Sequence, residues 1–209
     1  MKINAVIFDW SGTISDDREP VYEANMRLFV KYGLPRLSFE QWQENSTQTA
    51  IEILKNYGAI AEPDEIAKLY EEFYTEEVEC GRTPFIYPDA KDTLLHLKQK
   101  GKKLAVLSSH PQKNLEIEAG KYGVHDLFLQ IRGSARDKTI SLFHLMLELN
   151  ESFPQTLYVG DTIFDIRAAK QACIPSAAKL GGYHSRQRLL AEKPDLVLET
   201  LSDLKDVFP

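Results

Sequence analysis

Asp9 ends an apolar run, Ala5-Val6-Ile7-Phe8, and a turn follows through Ser11, Gly12 and Thr13. A second run, 103–108, ends on Ser108 and Ser109. Lys138 opens a stretch of helical period, and a further run, 156–160, leads into Gly160-Asp161 with Asp165 four residues on. If these run ends share one rim, three carboxylates face one cleft. They cannot all stay ionised there without compensation, which a hard divalent cation such as Mg²⁺ supplies. Beside that cation, the Ser108 hydroxyl and the Lys138 ammonium would hold the oxygens of a phosphoryl group. A carboxylate held in line could then act as nucleophile through an aspartyl-phosphate. Taken singly, each residue is ordinary: a strand-end aspartate or serine is most often a cap or turn former, and a lysine a solvated surface residue. Their order and placement together carry the reading.

Such a rim needs strands. Short apolar runs bounded by turn residues recur at 5–9, 103–108, 128–131, 156–160 and 195–198, with helical periods between them at 90–100, 115–123 and 138–150. Alternation of this kind predicts an α/β fold, a doubly wound parallel sheet covered on both faces. Ligands of such sheets sit at the carboxyl ends of the strands, near the switch in strand order. The alternation breaks once, where more than ninety residues separate Asp9 from Lys103. Residues 18–32, 47–57 and 63–79 have helical period, which predicts a helical domain over 16–82 inserted into a core of 1–15 plus 83–209. Gly81, Pro84 and Pro88 give its return segment the composition of a hinge.

The 209 residues are 43% hydrophobic, carry a formal charge of -6 and have a pI near 5.4, so the chain is long enough for a sizeable core. A net negative charge argues against a nucleic-acid binder, and no apolar run is long enough to span a membrane. The N-terminal apolar run is too short for a signal peptide. Cys80 and Cys173 are too few and too distant for a disulfide framework and are expected to be buried thiols of a cytoplasmic protein.

Phe8-Asp9-Trp10-Ser11-Gly12-Thr13 resembles the first motif of the haloacid dehalogenase superfamily of phosphotransferases. Val106-Leu107-Ser108-Ser109 is similar to its second motif, Lys138 to its third, and Gly160-Asp161-Thr162-Ile163-Phe164-Asp165 to its fourth. Residues 16–82 match the place and helical character of the type 1 cap of members such as phosphoglycolate phosphatase. The resemblance implies Asp9 as nucleophile and metal ligand, Asp161 as metal ligand, and Asp165 as a ligand or an outer partner. It implies the Ser11 backbone carbonyl on Mg²⁺, with Ser108, Ser109, Lys138 and Gly12 around a small phosphorylated metabolite. Oligomeric state, monomer or homodimer, does not follow.

One position departs from that pattern. Two residues after the nucleophile, the superfamily's phosphatases have a second aspartate that protonates the leaving oxygen and then activates water; here it is Ser11. A hydroxyl has no pKa near neutrality, and general acid–base help is worth about 10²–10⁴ in rate. A slow phosphatase, an enzyme resembling phosphonoacetaldehyde hydrolase, and a phosphate-binding regulatory protein are the three consistent readings. The second also has Trp after its nucleophile and would need a cap lysine for a Schiff base. Lys55 is the first candidate, though a solvated face lysine is the commoner case. Receiver domains, which phosphorylate an aspartate ending the third strand, fit poorly. The remaining features are read as structural before functional: Ser46 or Thr47 as a helix N-cap in the polar stretch 44–49, His110 as a loop histidine bonded to solvent, Arg132 and Arg136 as exposed, His125 and His184 as structural, and Trp42 with the aromatics of 70–74 as packing.

Overall fold

A computed structural model describes residues 2–60 and 62–209. In chain order, β1 (Ala5–Phe8) and β2 (Ser15–Asp16) lead into four helices, α1 (Arg18–Lys31), α2 (Phe39–Asn45), α3 (Ala50–Asn56) and α4 (Pro63–Glu79). The chain returns through β3 (Phe85–Ile86) and α5 (Ala90–Gln99). It then alternates through β4 (Lys103–Leu107), α6 (Gln112–Lys121), β5 (Gln130–Arg132), α7 (Lys138–Leu149), β6 (Thr156–Gly160) and α8 (Ile163–Gln171). β7 (Ser176–Lys179), α9 (Arg186–Ala191), β8 (Leu196–Leu198) and α10 (Leu204–Val207) complete it. Two compact units result, Met1–Asp16 with Phe85–Pro209, and Asp17–Pro84.

The first unit is built on a parallel sheet ordered β5-β4-β1-β6-β7-β8. Successive side chains of a strand point to opposite faces, so each central strand feeds two cores. Val6 and Phe8 of β1, Leu104 and Val106 of β4, and Leu157 and Val159 of β6 pack with Leu94 and Leu97 of α5 and Leu115 of α6. Ala5, Ile7, Ala105, Leu107 and Tyr158 face Leu142, Leu145 and Met146 of α7 and Ala168 and Ala169 of α8. Full burial of a residue such as Ile7 or Phe8 stabilises by about 1.5–3 kcal/mol. β1 lies between β4 and β6, where the strand order reverses, and the ends of these three strands carry Asp9, Ser108 and Asp161. A separate two-stranded antiparallel ladder pairs Ser15 with Ile86 and Asp16 with Phe85.

In the unit Asp17–Pro84, α1 and α4 supply most of the packing, with Met26, Leu28, Phe29, Leu54 and Ile66 buried. Trp42 is buried, its ring 5.8 Å from that of Tyr22 and 5.6 Å from that of Phe39. Tyr70 and Tyr74 stack at 6.2 Å, so these aromatics do pack.

Several expectations need correction. β7 is a strand that the local sequence does not predict, because Ser-Ala-Ala-Lys has little β propensity; it forms because β6 and β8 hydrogen-bond it on both sides. The strand expected at 128–131 is displaced to 130–132. In the stretch 44–49, Glu44 and Asn45 end α2, whose N-cap Ser38 forms a capping box with Gln41. The next N-cap is Thr49, which accepts from Glu52 N–H, and not Ser46 or Thr47. Cys80 and Cys173 are exposed rather than buried. Both follow a helix: Cys80 is the C-cap of α4, and Cys173 takes a left-handed φ of 56° just past α8. No helix among the described residues is long and apolar enough to cross a membrane.

Candidate active site

The end of β1 delivers Asp9, whose backbone N–H donates to the carbonyl of Val159 on β6 at 2.8 Å. Lys138 is the first residue of α7, started there by Asp137, whose side chain accepts from Ile140 N–H at 3.0 Å. The Lys138 ammonium thus reaches Asp9 Oδ1 at 3.1 Å and Asp165 Oδ1 at 2.6 Å. Asp165 is the third residue of α8 and forms a capping box with Thr162. Its four acceptor positions are occupied: Oδ1 by Lys138 and by the Tyr158 hydroxyl at 3.0 Å, Oδ2 by Thr162 N–H at 3.0 Å and Thr162 Oγ1 at 2.6 Å. Asp161 Oδ1 accepts from Thr13 Oγ1 at 2.9 Å and Oδ2 from Tyr183 N–H at 2.7 Å.

Asp9, Asp161 and Asp165 are all buried, and each offers an oxygen within 4.8 Å of the other two. Burial raises the Asp9 carboxyl to about 6; Lys138 opposes the rise and Asp165 adds to it. Burial, then Asp9 and Asp165, drive Asp161 up to about 8. Burial also works on Asp165, but Lys138 and the Thr162 bonds outweigh it and hold this carboxyl below its ordinary value. Burial would lower the Lys138 ammonium; Asp165 and Asp9 more than reverse that and keep it charged. Lys138 therefore serves Asp9 and Asp165 while Lys179 acts on Asp161, and two of the three buried acids still resist ionisation. An all-oxygen donor set of this kind fits a hard divalent cation.

The other expected residues lie as follows. Ser108 is buried, and its Oγ accepts the His110 backbone N–H at 3.2 Å, leaving the hydroxyl proton available to donate. Ser109 is exposed, and Ser11 is half-buried, its hydroxyl making no hydrogen bond among the described residues. Gly12 has a φ of 75°, and a Cβ there would come within 2.2 Å of Asp161 Oδ2. Lys55 is exposed in the last turn of α3. His110, expected to be a solvent-bonded loop histidine, is half-buried with its Nε2 3.2 Å from Glu118 Oε1. Arg132 pairs with Glu148 at 2.6 Å, while Arg136 is exposed. The buried His184 accepts Ile163 N–H on Nδ1 at 3.0 Å, at the start of α8.

Sequence reasoning passed over Thr13, Tyr158, Gly182 and Lys179. Lys179 is buried in β7, where its ammonium donates to the Gly12 carbonyl at 3.1 Å and lies 3.4 Å from the Tyr87 ring centre. No local signal marks that partnership. Gly182 had one, a Gly-Gly pair after an apolar segment, which often marks a close backbone approach. A Cβ on Gly182 would sit 2.2 Å from Asp161 Oδ2. Gly182→Ala is therefore expected to push Asp161 aside and destabilise the protein by about 1–3 kcal/mol. Urea denaturation checks this, and a midpoint equal to that of wild type would show that the strand end yields freely.

Buried carboxylates thus converge at the switch point of a doubly wound sheet, where such folds place their ligands, with Lys138 against two of them. The chain matches the model of the haloacid dehalogenase-like hydrolases over residues 6–179. It belongs to that family, and its relatives place it among the phosphatase-type hydrolases. It is 26% identical over 204 residues to a phosphoglycolate phosphatase of Synechococcus elongatus, covering 97% of this chain and 95% of that protein. It is 26% identical over 221 residues to a phosphoglycolate phosphatase of Vibrio vulnificus, covering 99% and 96%. In fold it is similar to a solved haloacid dehalogenase-like protein of Agrobacterium tumefaciens, with a TM-score of 0.81 at 19% identity over 98% of this chain and 97% of that one.

Proposed function

We propose that this chain is a Mg²⁺-dependent phosphatase that removes a phosphoryl group from a small phosphorylated metabolite, with Asp9 as nucleophile. The observation that carries this reading is the position of Asp9, 3.1 Å from Lys138 and grouped with Asp161 and Asp165 within 4.8 Å. Asp9, Asp161 and the backbone carbonyl of Ser11 would hold the metal. Asp165, its oxygens already taken by protein donors, acts through Lys138. When bound, Mg²⁺ neutralises the carboxylates and draws charge from the phosphoryl oxygens. The helical unit Asp17–Pro84 is read as a type 1 cap.

In the first half-reaction an Asp9 oxygen attacks phosphorus and the ester P–O bond breaks. The leaving oxygen takes a proton from solvent water, and an acyl phosphate remains on Asp9. Lys138 and the Ser108 hydroxyl donate to the phosphoryl oxygens during this transfer. In the second half-reaction water attacks phosphorus and gives its proton to solvent, the bond from phosphorus to the Asp9 oxygen breaks, and phosphate leaves with Asp9 restored. Ser11 can hydrogen-bond the leaving oxygen but cannot supply that proton at neutral pH, so turnover is slow. The names of the relatives make 2-phosphoglycolate the first substrate to test. Phosphate release from it and from a panel of small esters, with and without Mg²⁺, is the experiment. Metal-independent release, or none from any ester, would sink the reading.

Metal and pH are linked by the raised carboxyls. Asp9 and Asp161 have folded pKa values above their ordinary 3.8, near 6 and 8, so between those limits the unfolded chain has released protons that the folded one retains. The metal-free protein is therefore expected to lose stability as pH climbs from about 4 to 8, with the full cost present above that window. Mg²⁺ binds the ionised carboxylates, so its stabilising effect should grow over the same range. Thermal unfolding at pH 5 and pH 8.5, each with EDTA and with Mg²⁺, reads both trends. An equal Mg²⁺ shift in Tm at the two values would contradict this linkage.

A further inference from the structure

Helix α6 takes no part in the chemistry just described, yet one of its carboxylates touches both of the loops that carry it. Glu118 Oε2 accepts the indole N–H of Trp10 at 2.7 Å, and Glu118 Oε1 lies 3.2 Å from His110 Nε2. Trp10 directly follows Asp9 and is fully buried. His110 is two residues beyond Ser108 and gives its backbone N–H to the Ser108 hydroxyl oxygen at 3.2 Å. Tyr122, the C-cap of α6, adds a second hold on the β1 loop. Its ring stacks on Trp10 with centres 5.7 Å apart and planes 12° apart, and its hydroxyl is 2.9 Å from Ser15 Oγ. Glu118 is the point at which the two loops meet on this helix. Burial would push its carboxyl up, but His110 and Trp10 outweigh that and keep it ionised. A carboxylate can accept on both oxygens at once; an amide of the same shape accepts on one and turns a donor toward the other partner.

We propose that Glu118 is a positioning residue for the hydrolysis, tying the loop of the nucleophile Asp9 and the loop of the phosphoryl-binding Ser108 to one helix so that their separation is fixed. The proposal rests on the roles given above to Asp9 and Ser108. Misplacement of reacting groups by an ångström is enough to cost about 10²-fold in rate, so a clamp of this kind acts on kcat more than on binding.

The test compares Glu118→Gln with wild type and with Lys113→Gln, an exposed position on the same helix. Hydrogen exchange is read on Trp10–Ser15, on Ser108–His110 and on α7, together with kcat and KM for the best ester found. Glu118→Gln is expected to speed exchange about tenfold in both loops with α7 unchanged. It should lower kcat about tenfold with KM within about twofold. Lys113→Gln should change neither. Exchange at wild-type rates in the two loops, faster exchange that includes α7, or an unchanged kcat would each overturn the proposal. Loop-confined acceleration in a protein whose wild type hydrolyses no ester would uphold the clamp and remove the phosphatase reading alone.

Discussion

Asp9→Asn is expected to lower turnover by about 10⁴-fold or more, because an amide oxygen does not form the acyl phosphate on which both half-reactions depend. The loss should appear in kcat whatever ester is used. The same site argues against unfolding as the cause: Asp9 is one of three buried acids grouped within 4.8 Å, and Asp9 itself drives Asp161 upward. Removing its charge relieves that repulsion, so the variant should melt no lower than wild type at pH 8 in EDTA. Steady-state assays beside thermal unfolding give both readings. Retention of more than about one per cent of wild-type activity would take the nucleophile's role away from Asp9.

Ser11→Asp is expected to act in the opposite direction, raising turnover by about 10²–10⁴-fold, the usual worth of a placed general acid and base. Two observations favour a productive substitution. The Ser11 hydroxyl makes no hydrogen bond among the described residues, so a carboxylate there displaces none. The neighbouring acids would push the new carboxyl toward neutrality, the direction a proton donor needs. The added charge has a cost in metal-free stability, which should show as a lower Tm in EDTA. Turnover in Ser11→Asp no faster than in wild type, across the whole ester panel, would mean that proton transfer to the leaving oxygen does not limit the reaction.

The legible part of this protein was the part written locally. Val, Ile and Leu runs that end on polar residues marked β1, β4 and β6, and the strand ends Asp9, Ser108 and Asp161 were visible with them. Pro63 at the start and unbroken helical period marked α4 over its observed span. What escaped was decided by distant partners or by backbone conformation. β7 is a strand because both edges are paired, and its Lys179 binds a carbonyl 167 positions away in sequence. Glu118 meets Trp10 across 108 positions. The exposure of Cys173 follows from a left-handed turn that no residue type announced. One miss was avoidable: Ser38 and Gln41 have the spacing of a capping box, and that signature was available for α2.

The placement of β1 at the centre of the sheet has a consequence for how the chain reaches its native state. Ala5 pairs with Lys103 on one side and Thr156 on the other, so this strand leaves the ribosome long before either of its sheet neighbours. All four helices of Asp17–Pro84 are synthesised in that interval, and their contacts are closer in sequence and form faster than parallel pairing across such spans. Vectorial synthesis therefore favours a nascent chain whose inserted unit is folded while Ala5-Val6-Ile7-Phe8 still lacks both neighbours. That segment is apolar and uncharged, and during this window it is the stretch that most needs shielding by the ribosome surface or a chaperone.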